Sequence, residues 1–426
     1  MKNLALIISF ILLVTISGFA QPEIQLKDIR KMPKGITVEK LKEHVIEPAH
    51  IKNIEMEEVN AAREVNLRIP VNTKKFKTKP KLDVNKFGET IHSALKDNVT
   101  GYIMQVRQNG NLIYNNLWKD AQTPADQNKN WSENTQMHVA SVSKFLTAVG
   151  MVKVLDSKAN SYDAKIIDYL PAHWSKGNNI DKITFRHLLT HTSGFGGESS
   201  ESNYLFMKGK VALGVPGVGN YDYENMNFGL MRILIPIING DIKKNATFFP
   251  DATINNAMWD AITIAFYKEY MKDNVFTPAG VNNPTFAPLP FGGNNALAYK
   301  FPSLNQNGWN SGDLASMAGG AAWRLSSKEL LNVMDHFRRK NTIIPAQKAQ
   351  YILDNNFGID QKINTDAGMI YNKNGRWSGN GRSEQSVAYF FPNGMEVVVF
   401  VNSPIGTNNA SLRNVVKDAF LGSLVE

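Results

Sequence analysis

"HVASVSKFLTAVG", residues 138 to 150, decides how the rest of the chain is read. It reads as an apolar helix with a serine and a lysine at its entrance, Ser141 and Lys144. Residues i and i+3 lie on one helix face, within side-chain reach. The turns that follow (Phe145, Leu146, Val149, Met151, Val152, Val154, Leu155) are apolar nearly all round, the pattern of a buried helix. A lysine drawn into such a wall loses hydration and gives up its proton more readily, so it can act as base to the hydroxyl beside it. The helix N-terminus favours the negative charge that a reacting serine develops. The plainer alternative makes Ser141 a helix cap and lets Lys144 snorkel outward.

Spacing alone does not choose between these. "SALK" supplies the same pair at Ser93 and Lys96, in an amphipathic, charged helix read from Val84 to Leu95 that leaves both side chains exposed. Burial of the Ser141 helix is what sets that pair apart.

Working outward, "GYIMQVRQNGNLIYNN" is two β-rich runs joined at Asn109-Gly110, and "SVAYFFPNGMEVVVFVNS" repeats the device at Asn393-Gly394. Asn-Gly between such runs is a strong hairpin signal, because both turn positions need positive φ. "NNASLRNVVKDAFLGSL" then reads as a closing helix. "FLTAVGMVKVL", "FGLMRILIPII", "AITIAFYKEYM" and "SSKELLNVMDHF" make the middle of the chain helical. The expected fold is α/β of the α+β kind: an antiparallel sheet from both chain ends, covered by helices, with an inserted helical lobe. The cleft between lobes is the natural place for chemistry.

The chain has 426 residues, 43% of them hydrophobic, with a net charge of +9 and no cysteine. No cysteine means no disulfide and no cysteine-linked lipid anchor. The charge is read as solubility, since nothing resembles a nucleic-acid-binding module. Lys2 followed by "LALIISFILLVTISGFA" has the order of a secretory signal, cleaved after Ala20, and implies export to the periplasm or beyond. The alternative is an uncleaved anchor in the inner membrane. Residues 21–83 form an extension and basic linker, whose stretch 72–86 is read as a solvated connector or as a strip resting on an anionic envelope surface. The compact domain is expected over 84–426.

"SVSK", "RHLLTHTSGF", "YEN" (Tyr223 to Asn225), "VFTPAGV" and "WSG" (Trp377 to Gly379) occur in this order. Together they resemble the serine β-lactamase and penicillin-binding-protein superfamily, in its class C β-lactamase-like branch. The resemblance implies a β-lactamase/transpeptidase-like fold from about residue 84 onward and no cofactor or metal. It makes Ser141 the acylated nucleophile, Lys144 its proton acceptor and Tyr223 a partner in the proton relay. Asn225 would hold the acyl side chain. The oxyanion hole would be the backbone N–H groups of Ser141 and Asn380. His187 and His191 are read as packing residues. Trp323 and Trp377 are candidates for lining the cleft, with core packing the default for Trp323.

The family's third motif usually begins with a Lys or His that helps bind a substrate carboxylate. Taking that motif as Trp377, Ser378 and Gly379 replaces the cation by an indole, unless Arg376 or Arg382 reaches in. The expected function is therefore a serine esterase or amidase acting on small neutral acyl substrates, as in the family VIII carboxylesterases. A D,D-peptidase or β-lactamase acting on cell-wall peptides or β-lactams is the alternative, and a non-catalytic binding protein the third reading.

Overall fold

The computed structural model describes residues 24–34, 36–37, 39–41, 66–67, 69, 76–197, 201–303 and 305–426. The signal segment and most of the 72–86 stretch's basic start lie outside them. Among the described residues no helix is long and apolar enough to cross a membrane.

The short strand β1 (Lys81–Leu82) leads into helix α1 (Val84–Leu95), whose N-cap Asp83 accepts a hydrogen bond from the Lys86 N–H. Then come β2 (Gly101–Gln108), β3 (Asn111–Gln122), β4 (Lys129–Asn130) and β5 (Gln136–His138). The helical middle holds α2 (Val142–Ser157), α3 (Phe185–Leu189), α4 (Tyr204–Leu213), α5 (Asn225–Asn239) and α6 (Ala252–Met271). Strand β6 (Arg324–Ser326), α7 (Ser327–Arg338) and α8 (Ala346–Asp354) return the chain to the sheet. It closes with β7 (Gln361–Thr365), β8 (Gly368–Gly379), β9 (Arg382–Phe391), β10 (Met395–Val401), α9 (Leu412–Gly422) and β11 (Leu424–Val425).

Seven strands form one antiparallel sheet in the order β4-β3-β2-β10-β9-β8-β7. The two chain ends meet at β2 and β10, as expected. Both Asn-Gly hairpins form, with φ of 51° and 84° at Asn109 and Gly110 and 61° and 68° at Asn393 and Gly394. Strand alternation splits the sheet's side chains between two cores. Val387, Tyr389 and Val397 face α1 and α9, while Ala388, Phe390 and Val398 face α2 and the helical lobe.

Two features differ from the sequence reading. The sheet gains the hairpin β7–β8, and a third Asn-Gly turn, Asn380-Gly381 with φ of 51° and 75°, joins β8 to β9. "YNKNGRWSGN" carries Asn and Gly at half its positions and reads as turn chemistry; pairing with β9 on one side and β7 on the other makes most of it strand. The N-terminal extension is also not simply solvated. Lys81 and Leu82 pair with Val425 and Leu424, and Phe76 packs on the outer core. Ile29 bridges Ile242, the Gln25 N–H donates to the Phe248 carbonyl at 2.9 Å, and Leu41 is buried.

Candidate active site

The turn from β5 into α2 delivers Ser141. Ala140 has φ +45°, a costly conformation for a side chain with a Cβ, and Ser141 follows as the N-cap of α2. β8 clamps this turn from the side. A Cβ on Gly375 would lie 2.2 Å from the Val139 carbonyl oxygen and 2.9 Å from the Ser141 nitrogen, so only glycine lets the backbones approach this closely. The Ser386 hydroxyl donates to the same Val139 carbonyl at 2.7 Å.

Lys144 does not snorkel. Its side chain is buried, and Nζ donates to Ser141 Oγ at 2.7 Å, to Asn225 Oδ1 at 2.5 Å and to the Gly320 carbonyl at 3.2 Å. Asn225 is the first residue of α5 and is fully buried, so its amide oxygen serves Lys144. Tyr223, two residues earlier, lies between two cations: Lys144 Nζ is 4.7 Å from its ring centre and Lys373 Nζ 4.9 Å. The Lys373 ammonium also donates to the Tyr223 hydroxyl at 3.2 Å.

His191 supports that ring from its face, stacked at 4.3 Å and 22°. Burial, reinforced by the charges of Lys144 and Lys373, pushes this imidazole well below its ordinary range, so the ring is neutral. Its Nδ1 accepts from the Glu224 N–H at 3.2 Å, which leaves the proton on Nε2. His187 instead completes the capping box of α3: its Nδ1 accepts from the Thr184 N–H at 3.2 Å.

Of the residues singled out in the sequence, the fold brings Ser141, Lys144, Tyr223 and Asn225 together. It does not bring Trp377, Ser378, Gly379, Asn380 and Arg382 to them. The strand stretch on the nucleophile is Lys373-Asn374-Gly375. Asn380 lies five residues beyond Gly375, roughly 16 Å along a strand rising about 3.3 Å per residue, in the β8–β9 turn. Trp377 is buried against the His138 ring, edge-on at 5.0 Å. Ser378 shares a 2.9 Å hydrogen bond with Ser383, and Arg382 Nη2 donates to the Asn307 carbonyl at 3.1 Å. The N–H that leaves β8 next to the nucleophile, on the same edge as that of Asn374, belongs to Arg376.

An indole therefore does not stand in the cation's place; Lys373 does. The expectation of a neutral substrate loses the ground it had. The signal was in the sequence as Lys-x-Gly four residues before Trp-x-Gly, hidden by the turn-like composition around it. Trp323 is core as expected, its Nε1 donating to the Tyr267 hydroxyl at 3.3 Å.

The profile of the Beta-lactamase family matches residues 87–419. Beta-lactamase-like protein 4 of Dictyostelium discoideum is 25% identical over 247 residues, 52% of this chain and 40% of that protein. The chain spans only 33% and 40% of the lengths of the curated relatives it matches. Among solved structures, FmtA from Staphylococcus aureus has a TM-score of 0.60 at 15% identity, covering 85% of this chain and 94% of that one. D-amino acid amidase from Ochrobactrum anthropi SV3 has a TM-score of 0.57 at 14% identity, covering 79% and 98%. At these identities the structures show a shared fold. With the family profile covering most of the chain, the sheet, the inserted helical lobe and the Ser141 turn are those of a member of the beta-lactamase family.

Proposed function

We propose that this protein is a serine acyl hydrolase that works through an acyl-enzyme on Ser141. The observation that carries the reading is the 2.7 Å contact between Lys144 Nζ and Ser141 Oγ inside a buried pocket. In the reactive form Lys144 is the neutral amine. As Ser141 Oγ bonds to the substrate carbonyl carbon, its proton passes to Lys144, and the carbonyl oxygen takes up the charge. The backbone N–H groups of Ser141 and Arg376 would donate to that oxygen, a reading supported by the close approach of Gly375 to the Ser141 nitrogen. Tyr223, whose hydroxyl accepts from the Lys373 ammonium, passes a proton to the leaving group as the carbonyl re-forms. Water then attacks the ester with the same groups reversed, and Ser141 regains its proton.

The acyl donor is an ester or amide, and a D-amino acid amidase shares this fold. A second reading, a D,D-peptidase or β-lactamase, draws on Lys373 at the Tyr223 hydroxyl, and it requires a substrate carboxylate to compete with Asp360 for that ammonium. The apolar run after Lys2 supports export. The test is intact-mass trapping with a fluorophosphonate, a p-nitrophenyl ester and a penicillin. A stable adduct on Ser141 is expected with the first and ester turnover with the second. A protein that takes no label and cleaves no ester overturns the reading.

A further inference from the structure

Lys373 is not an open cation. Its side chain is 1% exposed, and Nζ lies 2.5 Å from Asp360 Oδ1. Asp360 stands just before β7 and is fixed from two more directions. Its N–H donates to the Asn372 carbonyl at 2.9 Å, and its Oδ2 accepts the Asn374 N–H at 3.0 Å. The carboxylate is thus built onto the middle of β8, beside the stretch that carries Lys373 and Gly375.

We infer that Asp360 is a specificity-determining residue: it is an internal counter-ion that occupies Lys373 and selects acyl donors whose leaving group bears no carboxylate. The inference rests on acylation of Ser141. A substrate carboxylate approaching Lys373 meets an ammonium already paired and a fixed negative charge beside it. Two carboxylates sharing one ammonium repel each other. Pulling Lys373 off Asp360 would break a buried pair at 2.5 Å and leave the carboxylate with the Asn374 N–H at 3.0 Å and Arg413 at 3.8 Å, which is costly.

The other charges around the pair do not reverse this. Arg413 Nη1 is 3.8 Å from Asp360 Oδ2, but it belongs to α9 on the opposite face of the sheet and donates to Asn374 Oδ1 at 3.1 Å. Lys144, 4.7 Å from the Tyr223 ring centre, has its Nζ on Ser141 and Asn225. His191 is neutral. On the cleft face of β8, Lys373 and Asp360 cancel.

The test uses the full protein and a matched pair of thioesters, hippuryl thioglycolate with its free carboxylate and the corresponding carboxamide, both read by the thiol released. The wild type is expected to prefer the carboxamide in kcat/KM by at least about tenfold. Asp360→Asn keeps the shape and removes the charge. It should raise the anionic-to-neutral ratio by about ten- to a hundredfold, mainly through KM for the anionic substrate, the range for one charge-assisted hydrogen bond. Asp360→Glu, which keeps the charge, should retain the wild-type order. A role confined to folding would lower both substrates together and leave the ratio unchanged. A wild type that labels at Ser141 yet prefers the free carboxylate overturns this inference alone, as does a folded Asp360→Asn protein with an unchanged ratio. A wild type that neither labels nor cleaves either thioester overturns the hydrolase reading with it.

Discussion

Ser93 and Lys96, at the C-terminal end of α1, have the same spacing as Ser141 and Lys144 at the start of α2, and the two helices lie on opposite faces of one sheet. α1 buries a single stripe, Phe87, Gly88, Ile91 and Leu95, and leaves Ser93 in solvent. α2 is buried from Val142 to Val152 without a break, so its lysine has nowhere to snorkel and ends on the serine. Spacing sets which residues can touch. Whether they become a chemical pair depends on what surrounds the helix.

The widest gap between the pairs should come from removing the hydroxyls. Ser141→Ala is expected to abolish fluorophosphonate labelling and ester hydrolysis together, while Ser93→Ala leaves both within about twofold and shifts stability by no more than about 0.5 kcal/mol. Peptide mapping of the label would break the comparison if the adduct sat on Ser93 or survived in Ser141→Ala.

Next is the base. Lys144→Ala should keep the far-ultraviolet dichroism of the wild type and lower kcat by about 10²–10⁴-fold. In the wild type the rate should rise with pH as the Lys144–Tyr223 pair loses a proton, with an apparent pKa belonging to the pair. A Lys144→Ala enzyme of near wild-type rate would point to another base.

Gly375→Ala sharpens the contrast from the strand side. Its new Cβ cannot fit 2.2 Å from the Val139 carbonyl oxygen, so β8 must move off the Ser141 turn. Overpacking of this kind costs about 1–3 kcal/mol of stability. Displacing the oxyanion-side backbone by about 1 Å should lower kcat about 10²-fold. Thermal unfolding and steady-state rates measured on one sample decide it; unchanged kcat would separate β8 from the chemistry.

The smallest effect is expected at Trp377. Among the described residues its Nε1 has no hydrogen-bond partner, and its ring packs edge-on against His138. Trp377→Phe should cost less than about 1.5 kcal/mol and change neutral-ester kcat/KM by less than about threefold. A loss of a hundredfold on neutral esters alone would return Trp377 to the cleft wall.

Much of this was legible before any coordinates. Apolar periodicity located α1, α2, α5 and α6, and two Asn-Gly pairs located the hairpins that carry the sheet. Ser141 and Lys144 follow from a local motif whose residues lie within one helix turn, whereas Tyr223 and Asn225 came from the resemblance of "YEN" to a family motif. The third motif was misplaced because its evidence is not local. Lys373-Asn374-Gly375 looks like a turn, and Trp377-Ser378-Gly379 looks like a motif; both judgements use composition where register is needed.

By itself the sequence determined the helices α1, α2, α5, α6, α7 and α9, the two Asn-Gly hairpins and the spacing that lets Ser141 and Lys144 touch, because helix periodicity and positive-φ turns are properties of a few neighbouring residues. Tertiary structure alone decided which residues of β8 meet the nucleophile and that Asp360 closes on Lys373. A strand turns successive side chains to opposite faces and advances about 3.3 Å per residue, so its register against a turn more than two hundred residues earlier in the chain is set by packing. Here that packing is the contact of Gly375 with the Val139 carbonyl and the Ser141 nitrogen.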